Sequence, residues 1–89
     1  MAATTVRADP EYWLAHCEGF RVEGDARRLG LVEEVCCDRA GHADLLVLRT
    51  GRFGRRRLLV PADEVMSVAP GQERVVVRSP VRILASVLH

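Results

Sequence analysis

The 89-residue sequence contains no lysine and no asparagine, and all thirteen of its basic residues are arginine. With twelve acidic residues, the formal net charge is +1, so no global field draws the chain toward nucleic acid or an anionic membrane. Because lysine and asparagine are missing together, we interpret the arginine usage as a compositional bias. Any nucleic-acid site therefore has to be a local patch.

Long apolar runs are also absent. Nowhere do about 18 consecutive apolar residues occur, which is the length that a membrane-spanning helix needs. The first ten residues, MAATTVRADP, contain no apolar core of signal-peptide length. These features favour a cytoplasmic protein without a membrane partner.

Cysteines are few and their spacing is not that of a disulfide framework or a zinc site. Cys17, Cys36 and Cys37 form no C-x-x-C pair. We expect Cys36 and Cys37 to be reduced and to behave as small hydrophobic residues, and a redox-active pair of the two is the alternative.

Catalytic patterns are missing as well. His16, His42 and His89 are isolated, and the pair formed by His42 and Asp44 has neither a nucleophile nor a metal partner nearby in the sequence. The phosphate-loop, dinucleotide-binding and zinc-protease motifs do not occur. We therefore predict that the protein is not an enzyme and has no catalytic residues, no cofactor and no metal site.

The N-terminal region predicts a short helix over residues 9–18 that packs on the main body. Asp9 is a suitable N-cap, and Pro10 is suited to the first helical position. Trp13, the sole tryptophan, is the expected anchor of this helix. Residues 1–8 are expected to be a flexible N-terminus.

From Phe20 onward, the sequence consists of short apolar runs separated by turn residues, the pattern of a small all-β domain. Gly30 falls inside the longest run, where it predicts a bulge or bend. The candidate strands are Phe20 to Glu23, Leu29 to Cys37, Leu45 to Thr50, Leu58 to Val60, Val65 to Ala69 and Arg74 to Arg78.

The stretch GFRVEGDARRLGLVEEVCCD, followed by LLVLRTGRFGRRRLLVPADEV, resembles the PRC-barrel domain family over about Glu18 to Arg78. The resemblance implies a small, six-stranded, highly curved antiparallel β-barrel over residues 19–78. Ala26 stands where the family often has glycine, and residues 55–57 are more basic than is usual. The matching positions are Gly19, Val22, Asp25, Leu29, Gly30, Val32, Val35, Asp38, Gly51, Gly54, Val60, Pro61 and Val65.

Members of this family occur as stand-alone proteins and as appendages that scaffold rather than react. The resemblance therefore implies a stand-alone, non-catalytic module for protein interaction or assembly, whose partner is a second copy or an unidentified protein. The alternative is an RNA-processing or ribosome-assembly factor, by resemblance to a barrel of the bacterial ribosome maturation factor. That alternative binds RNA or a ribosomal protein through the loop from Arg52 to Arg57.

The arginine-rich loop has two interpretations, a solvated hairpin tip or a patch that contacts RNA or an acidic partner. In the family pattern, Phe53 folds back as a lid on one end of the barrel. An arginine beside an exposed aromatic ring is a combination that grips single-stranded nucleic acid. The candidate patch comprises Arg49, Arg52, Phe53, Arg55, Arg56 and Arg57.

The C-terminal segment, residues 79–89, is rich in apolar side chains. Ser79 and Pro80 could begin a helix, or the segment could be a last strand. In either form it is expected to plug the barrel or to build a homodimer interface. The candidate residues for self-association are Trp13, Val81, Leu84, Val87 and Leu88.

Overall fold

The computed structural model describes residues 10–24 and 27–88, and Asp9, Asp25, Ala26, His89 and the predicted flexible N-terminus lie outside them. Helix α1 spans Pro10–Ala15, so a helix lies where the sequence predicts one, although it ends earlier. Glu11 in its first turn favours this start because a negative charge interacts well with a helix N-terminus. Within the described ranges, no helix has the length and apolar character needed to cross a membrane.

In the part of the chain that the structure describes, seven strands follow and form one sheet in the order β5-β6-β1-β2-β3-β4-β7. The predicted all-β class is confirmed, and a strand in the C-terminal segment raises the predicted number from six to seven. The strands are β1 Arg21–Gly24, β2 Arg27–Cys37, β3 Ala43–Thr50, β4 Arg56–Pro61, β5 Val65–Ala69, β6 Arg74–Val77 and β7 Ala85–Leu88.

One strand pair departs from the antiparallel arrangement that the sequence predicts. β1 and β6 pair in parallel, whereas the other neighbouring strands are antiparallel. Parallel neighbours cannot be joined by a tight hairpin, so they must come from distant parts of the chain. The sequence pattern shows hairpins but not such distant pairings, which is why this pair was missed.

The core is built by side chains that alternate along the strands. In β3, Leu46 and Leu48 are fully buried, whereas the residues between and beside them are only half-buried or exposed. Trp13 and Val81 are half-buried and pack against this core. The buried core residues are Cys17, Phe20, Val22, Val32, Leu46, Leu48, Val60, Val75 and Val77.

Cys17 is part of this core. Burial raises the pKa of its thiol to about 12, and the neighbouring Glu18 charge adds to the effect. A thiol with so high a pKa contains very little thiolate near neutral pH, and thiolate is the reactive form. Cys17 is therefore a structural residue.

Gly30 lies where β2 departs from regular pairing with β1. The register shifts between Val22 and Glu23, which face Gly30 and Arg28, so the predicted irregularity at this glycine is confirmed. A Cβ atom at Gly30 would lie 2.6 Å from the backbone oxygen of Arg49. Glycine is required here because β3 approaches the backbone of β2 too closely for any side chain.

Candidate interaction surface

The C-terminal segment ends in a strand at one edge of the sheet, which settles the alternatives of helix and strand. β7 pairs antiparallel with β4, from Leu88 opposite Arg56 to Ala85 opposite Leu59, without a register shift. Just before the strand, the backbone N–H of Leu84 donates to the carbonyl of Leu59 at 2.8 Å. Among the described strands, β7 has one neighbour, and its other side is an open edge.

The apolar side chains around β7 are exposed. Leu88 is 70% exposed, Leu84 60%, Val87 50% and Ile83 41%. We call these four residues together with Ala85 and Ser86 the C-terminal edge. Three of the five residues predicted for self-association, Leu84, Val87 and Leu88, therefore lie together on it, whereas Trp13 and Val81 are used by the core.

A buried carboxylate holds the segment that leads into the C-terminal edge. Glu64 lies in the short helical turn Ala62–Glu64 between β4 and β5, and it is only 7% exposed. Its Oε1 accepts the backbone N–H of Arg82 at 2.9 Å and lies 3.7 Å from Nε of Arg78. Because β6 and β7 lie near opposite ends of the sheet, these contacts fix the path of the chain between them.

The other edge of the sheet is better protected. Helix α1 packs against β5, and the pairing of β5 with β6 contains a register shift between Val65 and Ser67. Such irregularities and coverings keep an edge from pairing with another chain. Met66, 68% exposed on β5, offers a side chain of similar exposure to Leu88 on the opposite edge.

The arginine-rich loop forms a tight 3-10 turn over Arg52–Gly54. Phe53 adopts a left-handed conformation, with φ of 63°, and is 87% exposed. The expectation that Phe53 closes one end of the barrel is therefore wrong. The alkyl chain of Arg49 lies over Gly54, where an added Cβ would come within 3.0 Å of Arg49 Cδ, and Phe53 points to solvent.

The arginines of the candidate patch are not equivalent. Arg57 forms an ion pair with Glu33 and donates to the carbonyl of Gly54 at 2.6 Å, so it stabilises the turn. Arg56 donates to the hydroxyl of Ser86 on β7 at 2.8 Å. Arg49, Arg52 and Arg55 are exposed and form no ion pair within residues 10–24 and 27–88.

Carboxylates lie at the opposite end of β7. A groove of about 470 Å³ is lined by Leu84 together with Asp44 and Asp63. Asp63 pairs with Arg82 at 3.5 Å, whereas Asp44 has no ion pair in the part of the chain that the structure describes. The C-terminal edge is thus flanked by arginines at its Leu88 end. At its Leu84 end, Arg82 balances Asp63 and leaves Asp44 as the excess negative charge of the groove.

The histidine and the cysteine pair that the sequence analysis considered lie elsewhere. His42 is 3.6 Å from Glu11 and 3.8 Å from Asp38, all of them solvent-exposed. Cys36 is half-buried and Cys37 exposed, both as free thiols. Among the residues that the structure describes, no group of three or more His, Cys, Asp or Glu side chains could hold a metal ion.

Sequence reasoning missed the residues that depend on the path of the chain. Glu64 meets Arg82 eighteen positions later, and no local motif marks that contact. Asp44 enters the groove beside Leu84 through the pairing of β3, β4 and β7. The exposed apolar residues around β7, in contrast, are indicated in the sequence by the many apolar residues that follow Pro80.

A protein-family model matches most of this chain. The family model described as PRC-barrel domain matches residues 18–83, which is well over half of the sequence. The match begins after helix α1 and ends just before β7, so it includes β1 to β6 and leaves out most of the C-terminal edge. The search of curated proteins gave no match.

Proposed function

The chain belongs to the PRC-barrel family, and from this premise we propose that it is a non-catalytic module for protein interaction and assembly that associates with a second copy of itself. The observation that carries the proposal is the C-terminal edge, an open strand flanked by exposed leucine and valine side chains. Sheets normally protect such edges with charges, prolines or coverings. The non-catalytic part of the proposal follows from the isolated histidines and the absence of catalytic motifs in the sequence.

Self-association buries this surface, and a charge placed there opposes it. We expect the wild-type protein to have twice the chain mass of 9.9 kDa at micromolar concentration. Leu88→Glu should raise the dissociation constant about 30-fold, because a partly exposed leucine loses its apolar contact and a carboxylate must be desolvated. Light scattering after size-exclusion chromatography, followed by equilibrium sedimentation, measures both quantities.

Met66→Glu provides the matched control, because Met66 is equally exposed but lies on the protected edge. This variant should keep the mass and dissociation constant of the wild type. A wild-type monomer at tens of micromolar, or equal weakening by both variants, contradicts the assignment of self-association to the C-terminal edge.

RNA binding through the arginine-rich loop is the second candidate function. The observation that favours it is the exposed ring of Phe53 between Arg52 and Arg55, neither of which has an ion pair within residues 10–24 and 27–88. If these two arginines and Arg49 contact phosphates, affinity for a single-stranded RNA should fall about 20-fold between 50 and 200 mM salt.

The discriminating measurement is a filter-binding titration at those two salt concentrations, with the 260/280 nm absorbance ratio of the purified protein. Arg52→Ala should reduce both the affinity and its salt dependence. Arg39→Ala, in the turn at the other end of β3, should change neither. A weak affinity that does not depend on salt would remove this candidate.

A further inference from the structure

The partner of β7 can be specified further. We propose that β7 pairs antiparallel with β7 of a second copy across a two-fold axis, so that the two sheets become one continuous sheet. The inference rests on the proposed function, because it assigns the geometry of the same interface.

The open side of β7 is suited to accept a strand. In an antiparallel sheet, the residues of a strand direct their backbone N–H and C=O groups alternately toward the two sides. β4 occupies one side of Ala85–Leu88, and no strand formed by residues 10–24 or 27–88 occupies the other. The strand has no charged residue, no proline and no register shift against β4. Apart from its short length of four residues, it therefore lacks the features that protect natural edge strands.

The sequence of the C-terminal edge complements itself in an antiparallel pair. If Ser86 lies opposite Ser86 of the second copy, then Leu88 lies opposite Leu84 of that copy, and the same contact occurs twice. Leu88 and Leu84 are the two most exposed residues of the edge, at 70% and 60%. Directly opposed apolar side chains contact each other across strands. This single register therefore buries both leucines against the second copy.

The flanking charges select the antiparallel direction. Arg56 pairs with Leu88 in the sheet, and Arg55 precedes it at the end of the arginine-rich turn. Leu84, at the other end, lines the groove that contains Asp44. Antiparallel pairing brings the arginine end of each copy to the carboxylate end of the other. Parallel pairing would place arginines beside arginines.

These charges interact across the dimer at low salt. Four strand spacings, about 19 Å, separate the arginine end of β4 in one copy from Asp44 on β3 of the other, and this distance lies within the Debye length of about 30 Å at 0.01 M salt. An acidic peptide or an RNA would match only the arginine end of the edge. A second copy matches both ends, and the two-fold axis limits the assembly to two chains because the same surface is used by each.

Two charge reversals test this pairing. Arg55→Glu and Asp44→Arg alter exposed side chains that have no ion pair within residues 10–24 and 27–88. Each variant alone would have like charges facing each other at both ends of the homodimer, so at about 0.01 M salt its dissociation constant should rise about twofold. In an equimolar mixture, the heterodimer of the two variants has opposite charges at both contacts and should recover the wild-type dissociation constant.

Sedimentation of one fluorescently labelled variant with its unlabelled counterpart measures the heterodimer directly. The recovery should shrink at 0.5 M salt because screening weakens exposed charge pairs. Arg39→Glu, which changes the charge away from the edge, should leave the dissociation constant unchanged. Circular dichroism of each variant verifies that it is folded.

The outcomes separate the two proposals. If the wild type dimerises but mixing gives no recovery, the antiparallel pairing is overturned while self-association stands. If the wild type is monomeric, both are overturned. Recovery in the mixture, with loss in each single variant, establishes the two-fold arrangement.

Discussion

Replacing Gly30 with alanine should lower the free energy of unfolding by about 4 kcal/mol, the largest change we expect from any substitution considered for this protein. The added Cβ would lie 2.6 Å from the backbone oxygen of Arg49 and 3.0 Å from Cβ of Thr50. Because the obstacle is backbone, relief requires β2 and β3 to separate. The φ of +156° adds to the cost, since side chains of L residues rarely adopt it.

Urea denaturation, followed by the fluorescence of Trp13 or by circular dichroism, measures this loss. Gly71→Ala is the control, because nothing lies within 4 Å of a Cβ built there. That variant should change stability by less than about 1 kcal/mol in either direction. Equal midpoints for Gly30→Ala and the wild type would mean that β2 and β3 do not approach each other as closely as the structure shows.

The strands were predictable because each leaves a local signal. For β2 and β3, alternating apolar residues between turns placed both strands to within two residues of their observed bounds. Gly30 also has a local signal, since glycine in the middle of an apolar run marks a site where a side chain does not fit. The family resemblance depends on the same glycines and apolar positions, and the PRC-barrel match confirms it.

The C-terminal strand could not be decided from the sequence. Its apolar residues fit a helical spacing and a strand equally well, and Pro80 is compatible with both. What decides the matter is β4, whose second edge is free to pair with β7. That edge is visible only when the whole sheet is assembled, as is the parallel pair of β1 and β6.

The candidate site was predictable in composition but not in arrangement. The arginine cluster and the apolar C-terminal residues stand out in the sequence, yet nothing there shows that Arg56 and Leu88 are neighbours. Arg57 illustrates the same limit. It looks like its neighbours in the sequence, but the structure pairs it with Glu33 and removes it from the free charges of the loop.

Glu64→Ala is the second substitution with a large expected effect, a loss of about 3 kcal/mol in the free energy of unfolding. The variant removes a charged acceptor of the Arg82 backbone N–H, at 2.9 Å, and leaves that group without this partner in a half-buried site. It also removes the carboxylate beside Arg78. Because these contacts hold the approach to β7, amide hydrogen exchange in β7 should become about 100-fold faster.

Two further variants separate the hydrogen bond from the charge. Glu64→Gln keeps an oxygen that can accept the Arg82 N–H, so it should lose only about 1 kcal/mol. Asp63→Ala removes an exposed carboxylate 3.5 Å from the same arginine and should lose about 0.5 kcal/mol. If the free energy of unfolding falls by the same small amount in all three variants and amide exchange in β7 stays slow, Glu64 does not hold the C-terminal strand. If Glu64→Ala alone frees β7 and the dimer dissociates with it, then the buried carboxylate also maintains the surface on which self-association depends.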